Sequence, residues 1–388
     1  MAETVLILSV FYQIYAFALY PALVYIFGRF INRVPSMDNS YKPDVTVIIS
    51  VYNEEELIEG CIESIYNSDY PHEKLNVIIG SDGSDDSTNE ICRGLEQRYK
   101  NLRFIELDRG GKNLALNKLT PEAKTELIFF LDADCRVSSD SISSLASIMA
   151  DDQVGSVLAK IKIMGEKGTD AGEIGESVYQ KFEAFIRKWE SRIFTSINSL
   201  GTLYCIRRSE YSPIPNDLVC DDLFRLMYVS KLKKRIIYDE STTIYEIRKK
   251  SIGNELQRRI RLVAGGLSTI HYFKRLLLPD YGWISYFIWS HKVIRWFIPI
   301  PLVSALISGF FISNDYIRMV FLILFLLLVL SVILGYIFEK FRINFFPFKL
   351  AFFYYMMNIA FLMGIGRYFS GKQNSIWDQQ GLTKTANE

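Results

Sequence analysis

Several kinds of site are missing from this chain. Only three histidines occur, His72, His271 and His291, with no His/Cys cluster, which argues against a zinc centre. The five cysteines, Cys61, Cys92, Cys135, Cys205 and Cys220, make no Cys-x-x-Cys pair and lie in the middle region, as free thiols in a reducing compartment would. No Gly-x-Gly-x-x-Gly is present, so a dinucleotide site lacks support, and Asn113 stands where a P-loop needs Ser or Thr. Lys and Arg total 44 against 43 acids, a net charge of +1, so overall charge does not point to nucleic acid. There is no internal repeat and no low-complexity stretch. The basic start of a cleaved leader is also lacking: Glu3 precedes any Lys or Arg.

What the chain has in excess is apolar and aromatic sequence, concentrated at its two ends. Mean hydropathy is +0.13 and aromatics reach 14%. Residues 4–27 are nearly continuous apolar sequence, long enough for a retained membrane anchor. Arg29 and Arg33 follow it, which places the middle region on the cytoplasmic side and the N-terminus outside. Three further spans are expected over 297–312, 319–338 and 346–369, the last also readable as an interfacial segment. Lys340 and Arg342 suit a cytoplasmic turn, and Asn314-Asp315 an outer one. The expected organisation is an anchor over 1–28, a cytoplasmic catalytic domain over 29–250, amphipathic interface helices over 251–296, three spans over 297–370 and a tail over 371–388.

The middle region alternates strand and helix patterns. β-Branched or apolar runs at 45–51, 75–80, 102–107 and 127–131 predict strands, and helical spacing predicts helices over 54–66, 87–99 and from 112 to 119. Strand, helix, strand, helix implies an α/β fold with a mostly parallel sheet and ligands beyond the carboxyl ends of its strands. Two later stretches, 178–194 and 256–273, are basic and amphipathic, and fit either membrane-surface helices or core-facing helices of the catalytic domain. Residues 283–296, rich in Trp and Tyr, suit the membrane interface.

The polar motifs fall at the predicted strand ends. Asp132-Ala133-Asp134 follows the strand at 127–131. Carboxylates at i and i+2 can share a Mg2+ that takes its other ligands from water and substrate phosphates, or can form a solvated turn. Asp82, in Ser81-Asp82-Gly83-Ser84, can accept the N3–H of a uracil or belong to an ordinary turn. Glu54 is open between a first-turn helix acid and a nucleoside contact. Arg109-Gly110-Gly111-Lys112 offers close backbone approach and a positive point charge. Asp221-Asp222 fits a solvent-facing loop or a general base that deprotonates an attacking hydroxyl. Arg258 and Arg261, at i and i+3, can clamp a pyrophosphate or serve as a basic cluster at the membrane.

Together these motifs resemble the family-2 inverting glycosyltransferases. The resemblance rests on Val-Ile-Ile-Ser-Val-Tyr-Asn-Glu-Glu, Ser-Asp-Gly-Ser-Asp-Asp-Ser-Thr, Arg-Gly-Gly-Lys-x-x-Ala-Leu-Asn, Phe-Leu-Asp-Ala-Asp and Asp-Asp-Leu, in that order, over about residues 42–265. The branch most similar is the membrane-integrated synthases of cellulose, hyaluronan, chitin and poly-N-acetylglucosamine. The resemblance implies a GT-A fold, a UDP-sugar donor, and Mg2+ or Mn2+. It makes Glu54, Asp82 and Lys112 nucleotide contacts, and Asp132 and Asp134 the carboxylates of the diphosphate and metal. It makes Asp222 the base, matched to the last residue of a Thr-Glu-Asp motif, and puts Gly201 and Thr202 near the acceptor. Two departures stand out. Cys220-Asp221-Asp222 replaces Thr-Glu-Asp and keeps the base, while Arg258-Arg259-Ile260-Arg261-Leu262 replaces Gln-x-x-Arg-Trp and loses an acceptor-site Trp. The expected function is therefore inverting transfer of a sugar from UDP to a lipid-linked or growing glycan acceptor at the cell membrane. A processive synthase of the same family is the nearest alternative, and a nucleotidyltransferase or a membrane channel or carrier the alternatives from other classes.

Overall fold

The computed structural model describes residues 1–164, 171–198, 201–247, 252–341, 343 and 345–371. The expected domain boundary at 250/251, Arg342 and all of the expected tail beyond 371 lie outside the described residues. Eight strands form one sheet: β1 (Val45–Val51), β2 (Leu75–Asp82), β3 (Leu102–Leu107), β4 (Leu127–Leu131), β5 (Cys135–Val137), β6 (Val154–Met164), β7 (Leu203–Arg207) and β8 (Arg235–Ile247). Their order is β3-β2-β1-β4-β7-β6-β8-β5. The β3-β2-β1-β4 half is parallel, as the alternating pattern predicts. β7 enters antiparallel to both β4 and β6, β8 runs parallel to β6, and β5 closes the edge antiparallel to β8.

β1 explains why the sheet has helices on both faces. Val45, Val47, Ile49 and Val51 join a core with the Ile58–Tyr66, Thr88–Arg98 and Ser141–Ile148 helices. Ile48, one residue out of phase, joins a second core with the Lys112–Leu119 and Asp221–Lys231 helices. Alternate residues of a strand point to opposite faces, so a strand apolar at nearly every position must be covered on both. The predicted strands at 45–51, 102–107 and 127–131 coincide with β1, β3 and β4. The helix expected from 54 begins only at Ile58, because Asn53 takes a left-handed φ of 55° and the chain turns through 53–57 first.

Among the described residues, three helices are long and apolar enough to cross a membrane: Ala2–Ile31, Asp315–Lys340 and Phe346–Phe369. Pro21 would clash with the carbonyl four residues earlier in a regular α-helix. The first helix absorbs it by widening to a π-turn over Tyr15–Leu19. Asp315–Lys340 is apolar on all sides and its large side chains are mostly exposed, a surface suited to lipid rather than water. Asn314 caps it by accepting from the Ile317 amide at 3.0 Å. The expected span at 297–312 takes a different form. Its helix is Pro299–Gly309, 11 residues, about 16 Å at 1.5 Å per residue and too short for a hydrocarbon layer of about 30 Å. It meets Trp283–Trp296 at a 51° bend, and only the two together have the length of a span.

The two basic amphipathic stretches form the helices Ala171–Ile193 and Ile252–Tyr272. With the first helix and 283–288 they build a third apolar cluster that joins the α/β domain to the first candidate span, including Tyr20, Val24, Ile186, Trp189, Phe224, Ile270, Phe273 and Phe287. Both helices therefore bury one face in protein.

Candidate active site

The carboxyl ends of β1, β2 and β4 carry the polar motifs, and side chains stitch the first two together. Asn53 donates from Nδ2 to Asp85 at 2.6 Å and accepts from the Asp85 amide at 3.0 Å. The Glu54 amide donates to Thr88 Oγ1 at 2.8 Å, and Glu55 accepts from the Ser87 amide at 2.9 Å. Much of the Ser-Asp-Gly-Ser-Asp-Asp-Ser-Thr motif thus holds the Tyr-Asn-Glu-Glu loop in place. Asp82, buried at the end of β2, accepts from the Gly110 amide at 2.7 Å, from the Gly111 amide at 2.8 Å and from the Arg109 guanidinium. That guanidinium stacks 3.4 Å from the centroid of the Tyr52 ring. Gly111 has φ +92°, a conformation side chains with a Cβ rarely adopt, and this lets its amide face Asp82 while the Lys112–Leu119 helix begins.

Lys112 is thereby aimed across the strand ends. Its ammonium lies 2.7 Å from Asp132 Oδ1 and 3.7 Å from Asp221 Oδ1. Burial works against its charge, but Asp132 and Asp221 outweigh that and hold its pKa above the usual lysine range. Burial raises Asp132 to about 7 despite Lys112, with Asp134 adding to the rise. Burial, then Asp134, Asp132 and Asp86, raises Glu54 to about 7 as well. Glu54 and Asp132 are thus both held above the usual carboxylate range, with Asp134 a neighbour of each. Among the described residues there is no cluster of three or more His, Cys, Asp or Glu side chains with the makings of a metal site. Two strand-end carboxylates at i and i+2 do fit a hard cation that takes its remaining ligands from a diphosphate and water.

Asp221 and Asp222 open the Asp221–Lys231 helix beside this cluster, and the fold treats them differently. Asp221 is buried and paired with Arg225 at 3.2 Å, one turn along the same helix, as well as with Lys112. Asp222 makes no ion pair among the described residues. Its Oδ1 accepts from the Leu223 amide at 2.7 Å, and its Oδ2 would lie 3.4 Å from a Cβ at Gly201. Burial, then the like charge of Asp221, raises the Asp222 pKa. Gly201 has φ +81°, a conformation that residues with a Cβ rarely adopt, and its backbone passes close to Asp222. Thr202 is buried, and its carbonyl accepts from the Asp132 amide at 3.2 Å, tying the end of β7 to the Asp-Ala-Asp loop.

The structure divides the arginine pair read from the sequence. Arg258 lies 3.4 Å from Glu255 and 3.6 Å from Glu176, so carboxylates already hold it. Arg259, to which the sequence assigned no role, is buried between the same two acids, 2.6 Å from Glu255 and 2.5 Å from Glu176. Arg261 lies toward the site, with Cys220, Asp221 and Asp222 among its electrostatic neighbours, and burial lowers its pKa. The residues missed by the sequence reading are therefore Arg109, Arg225 and the Glu176–Glu255–Arg259 cluster. Arg109 stood in a motif already singled out but without a role of its own, and the spacing of Asp221 and Arg225, i and i+4 on one helix, signalled their pairing.

The sequence profile of glycosyl transferase family 2 matches residues 46–204, and that of glycosyl transferase family group 2 matches residues 127–363. The chain belongs to the family 2 glycosyltransferases. Of this family's members, the beta-monoglucosyldiacylglycerol synthase of Trichormus variabilis is 30% identical over 149 residues, 38% of this chain and 32% of that protein. The poly-beta-1,6-N-acetyl-D-glucosamine synthase of Staphylococcus epidermidis is 23% identical over 228 residues, 57% of this chain and 54% of that protein. The matched segments cover well under two thirds of each relative's own length. Among solved structures, the mannosyltransferase PcManGT from Pyrobaculum calidifontis, in complex with GDP-Man and Mn2+, superposes with a TM-score of 0.75 at 20% identity. The match covers 96% of this chain and 100% of that one, so the two share a fold. The GT-A fold and the family that the five motifs imply are both borne out.

Proposed function

We propose that this family 2 glycosyltransferase is embedded in the cell membrane. It transfers a sugar from UDP to a lipid-linked or growing glycan acceptor, with inversion at the anomeric carbon, and Asp222 is the general base. The observation that carries the reading is the asymmetry between the two adjacent acids. Asp221 is committed to Arg225 and Lys112, whereas Asp222 keeps an oxygen beside Gly201. A carboxylate of raised pKa with no ion pair among the described residues is suited to taking a proton from a hydroxyl.

The acceptor oxygen gives its proton to Asp222 and attacks the anomeric carbon from the face opposite the diphosphate. The bond from that carbon to the phosphate oxygen breaks, and UDP leaves carrying the electron pair. Lys112 and Arg261 stand ready to neutralise the leaving charge, and such preorganised cations stabilise a developing anion most where water is excluded. A bound Mg2+ or Mn2+ would be held by Asp132 and Asp134 and would supply Lewis-acid stabilisation of the diphosphate. Asp82 and Glu54 border the nucleoside end. Because Asp82 is already engaged by Arg109 and the two glycine amides, base binding requires Arg109 to yield or to stack on the base itself. Arg258, held by Glu176 and Glu255, is assigned a supporting part in placing Arg261.

The named relatives act on a diacylglycerol lipid and a growing polysaccharide, and both acceptor classes suit a site beside membrane helices. The missing acceptor-site Trp favours single addition over processive synthesis. The nucleotidyltransferase reading predicts pyrophosphate as the product, and a channel or carrier predicts none; neither accounts for the base. The decisive experiment incubates purified protein with UDP-sugars and membrane extract. UDP release with an inverted anomeric configuration in the product supports the reading. Pyrophosphate release, or a retained configuration, refutes it.

A further inference from the structure

Asp132-Ala133-Asp134 runs between β4 and β5 as a loop whose three carbonyls are all taken. The Asp132 carbonyl accepts from the Cys135 amide at 3.1 Å, and the Asp134 carbonyl from the Ile247 amide at the end of β8 at 2.8 Å. The middle carbonyl, of Ala133, is met by a side chain. Arg136, on β5, donates from Nη1 to the Cys135 carbonyl at 2.9 Å and to the Ala133 carbonyl at 3.4 Å. The other arm of the same guanidinium, Nη2, donates to the Leu57 carbonyl at 2.9 Å. Leu57 closes the turn that carries Glu54: the amides of Leu57 and Ile58 both donate to the Glu54 carbonyl at 3.0 Å. One planar group therefore spans two loops far apart in sequence, the turn of Glu54 and the loop of Asp132 and Asp134.

The fold makes room for this bridge at Gly60, within the Ile58–Tyr66 helix. A Cβ there would lie 2.6 Å from Arg136 Nη2 and 2.9 Å from its Nε. Glycine is a poor helix former, so its place in this helix needs a reason, and the guanidinium packed against it supplies one. A rigid fork of five N–H donors can hold carbonyls on two sides at once, which a single ammonium cannot. The described hydrogen bonds of Arg136 all end on backbone carbonyls, so it acts through the two loops. We propose that Arg136 is a positioning residue that sets the spacing between the Asp132–Asp134 loop and the Glu54 turn. A cation held by the first and a nucleotide bound along the second then each improve the site for the other, a coupling that is reciprocal by linkage. This inference rests on Asp132 and Asp134 holding the cation.

Titration calorimetry of UDP onto the full chain in detergent, first in EDTA and then in saturating Mn2+, gives the factor by which metal tightens UDP. Loss of a group that orients metal ligands usually costs about 10–100-fold, so Arg136→Ala should cut that factor by roughly tenfold, while UDP affinity in EDTA changes by less than about threefold. A general loss of stability would not single out the metal-dependent part. Arg136→Lys keeps the charge without the fork and should stay closer to the alanine variant than to wild type. Gly60→Ala leaves Arg136 in the chain, favours the helix and pushes the guanidinium away from the Leu57 carbonyl, so it should cut the factor in the same direction. An unchanged factor in Arg136→Ala overturns the proposal; should that variant not fold, an unchanged factor in Gly60→Ala overturns it instead. Full rescue by Arg136→Lys overturns it as well, since charge alone would then suffice. Failure of the underlying reading looks different: UDP binding by the wild type would not respond to Mn2+, which removes the cation from Asp132 and Asp134 and the proposal with it.

Discussion

Glu54→Gln should make the metal-free protein more stable at alkaline pH while impairing the site. Glu54 sits against Asp134, Asp132 and Asp86 with its pKa raised from 4.5 to about 7. A carboxylate raised in the folded state binds its proton more tightly there than in the unfolded chain. It costs nothing below the unfolded value, and an increasing amount as pH rises from about 4.5 to about 7, where the full penalty is reached. At about 1.36 kcal/mol per pH unit the ceiling is about 3.4 kcal/mol. Glu54 is only partly buried and solvent screens it, so about 1 kcal/mol is the expected penalty. Glutamine removes it. The apparent Tm in EDTA should therefore rise by about 1 °C near pH 8 and be unchanged near pH 5. Mn2+ with UDP should close the gap, because the cation neutralises the same charges. Thermal unfolding followed by intrinsic fluorescence in detergent provides the assay. A variant no more stable than wild type at pH 8, or equally stabilised at both pH values, would refute the picture of Glu54 pressed by burial and neighbouring acids.

Other consequences are as direct. EDTA should abolish transfer and Mn2+ or Mg2+ should restore it, and Asp134→Asn should weaken UDP binding, read by titration calorimetry, only when metal is present. Arg261→Ala should weaken both UDP binding and turnover, with Lys a partial rescue because it lacks the guanidinium fork. Arg258→Ala should chiefly lower stability, since it leaves Glu176 and Glu255 short of a partner; an equal loss of UDP affinity in both variants would return Arg258 to the clamp. Cysteine labelling of intact cells should reach a probe at Asn314 and not one at Lys340, and the reverse pattern would invert the proposed topology.

The parallel half of the sheet was legible because β1 and β4 are apolar at nearly every position, and only a strand covered on both faces has that composition. The strand-end acids were legible because Asp82 and Asp132 follow such runs directly. What pairs with them was not. No periodicity announces that Asp85 and Asp86 are spent on the neighbouring loop, or that Asp82 organises Arg109, Gly110 and Gly111. The spacing of Arg258 and Arg261 put them on one helical face, but a shared face does not reveal that Glu176, from another helix, holds the first. Glu183 and Glu190 drew no reading from the sequence. They are among the most buried acids in the protein, because His291, Arg295 and Tyr20 arrive from segments far along the chain. The short Pro299–Gly309 helix was overextended from its sequence, since apolarity alone does not reveal a bend.

The central claim is that Asp222, and not Asp221, takes the acceptor's proton. Turnover and UDP-sugar affinity of Asp222→Asn and Asp221→Asn, measured side by side, test it most directly. The account predicts that Asp222→Asn binds donor normally but turns over roughly 10²–10⁴-fold more slowly, the usual contribution of a positioned base. Asp221→Asn, which leaves Arg225 and Lys112 short of a partner, should lose donor affinity and stability while its saturated turnover falls less. Near-normal turnover in Asp222→Asn beside an inactive, well-folded Asp221→Asn that still binds donor would contradict it.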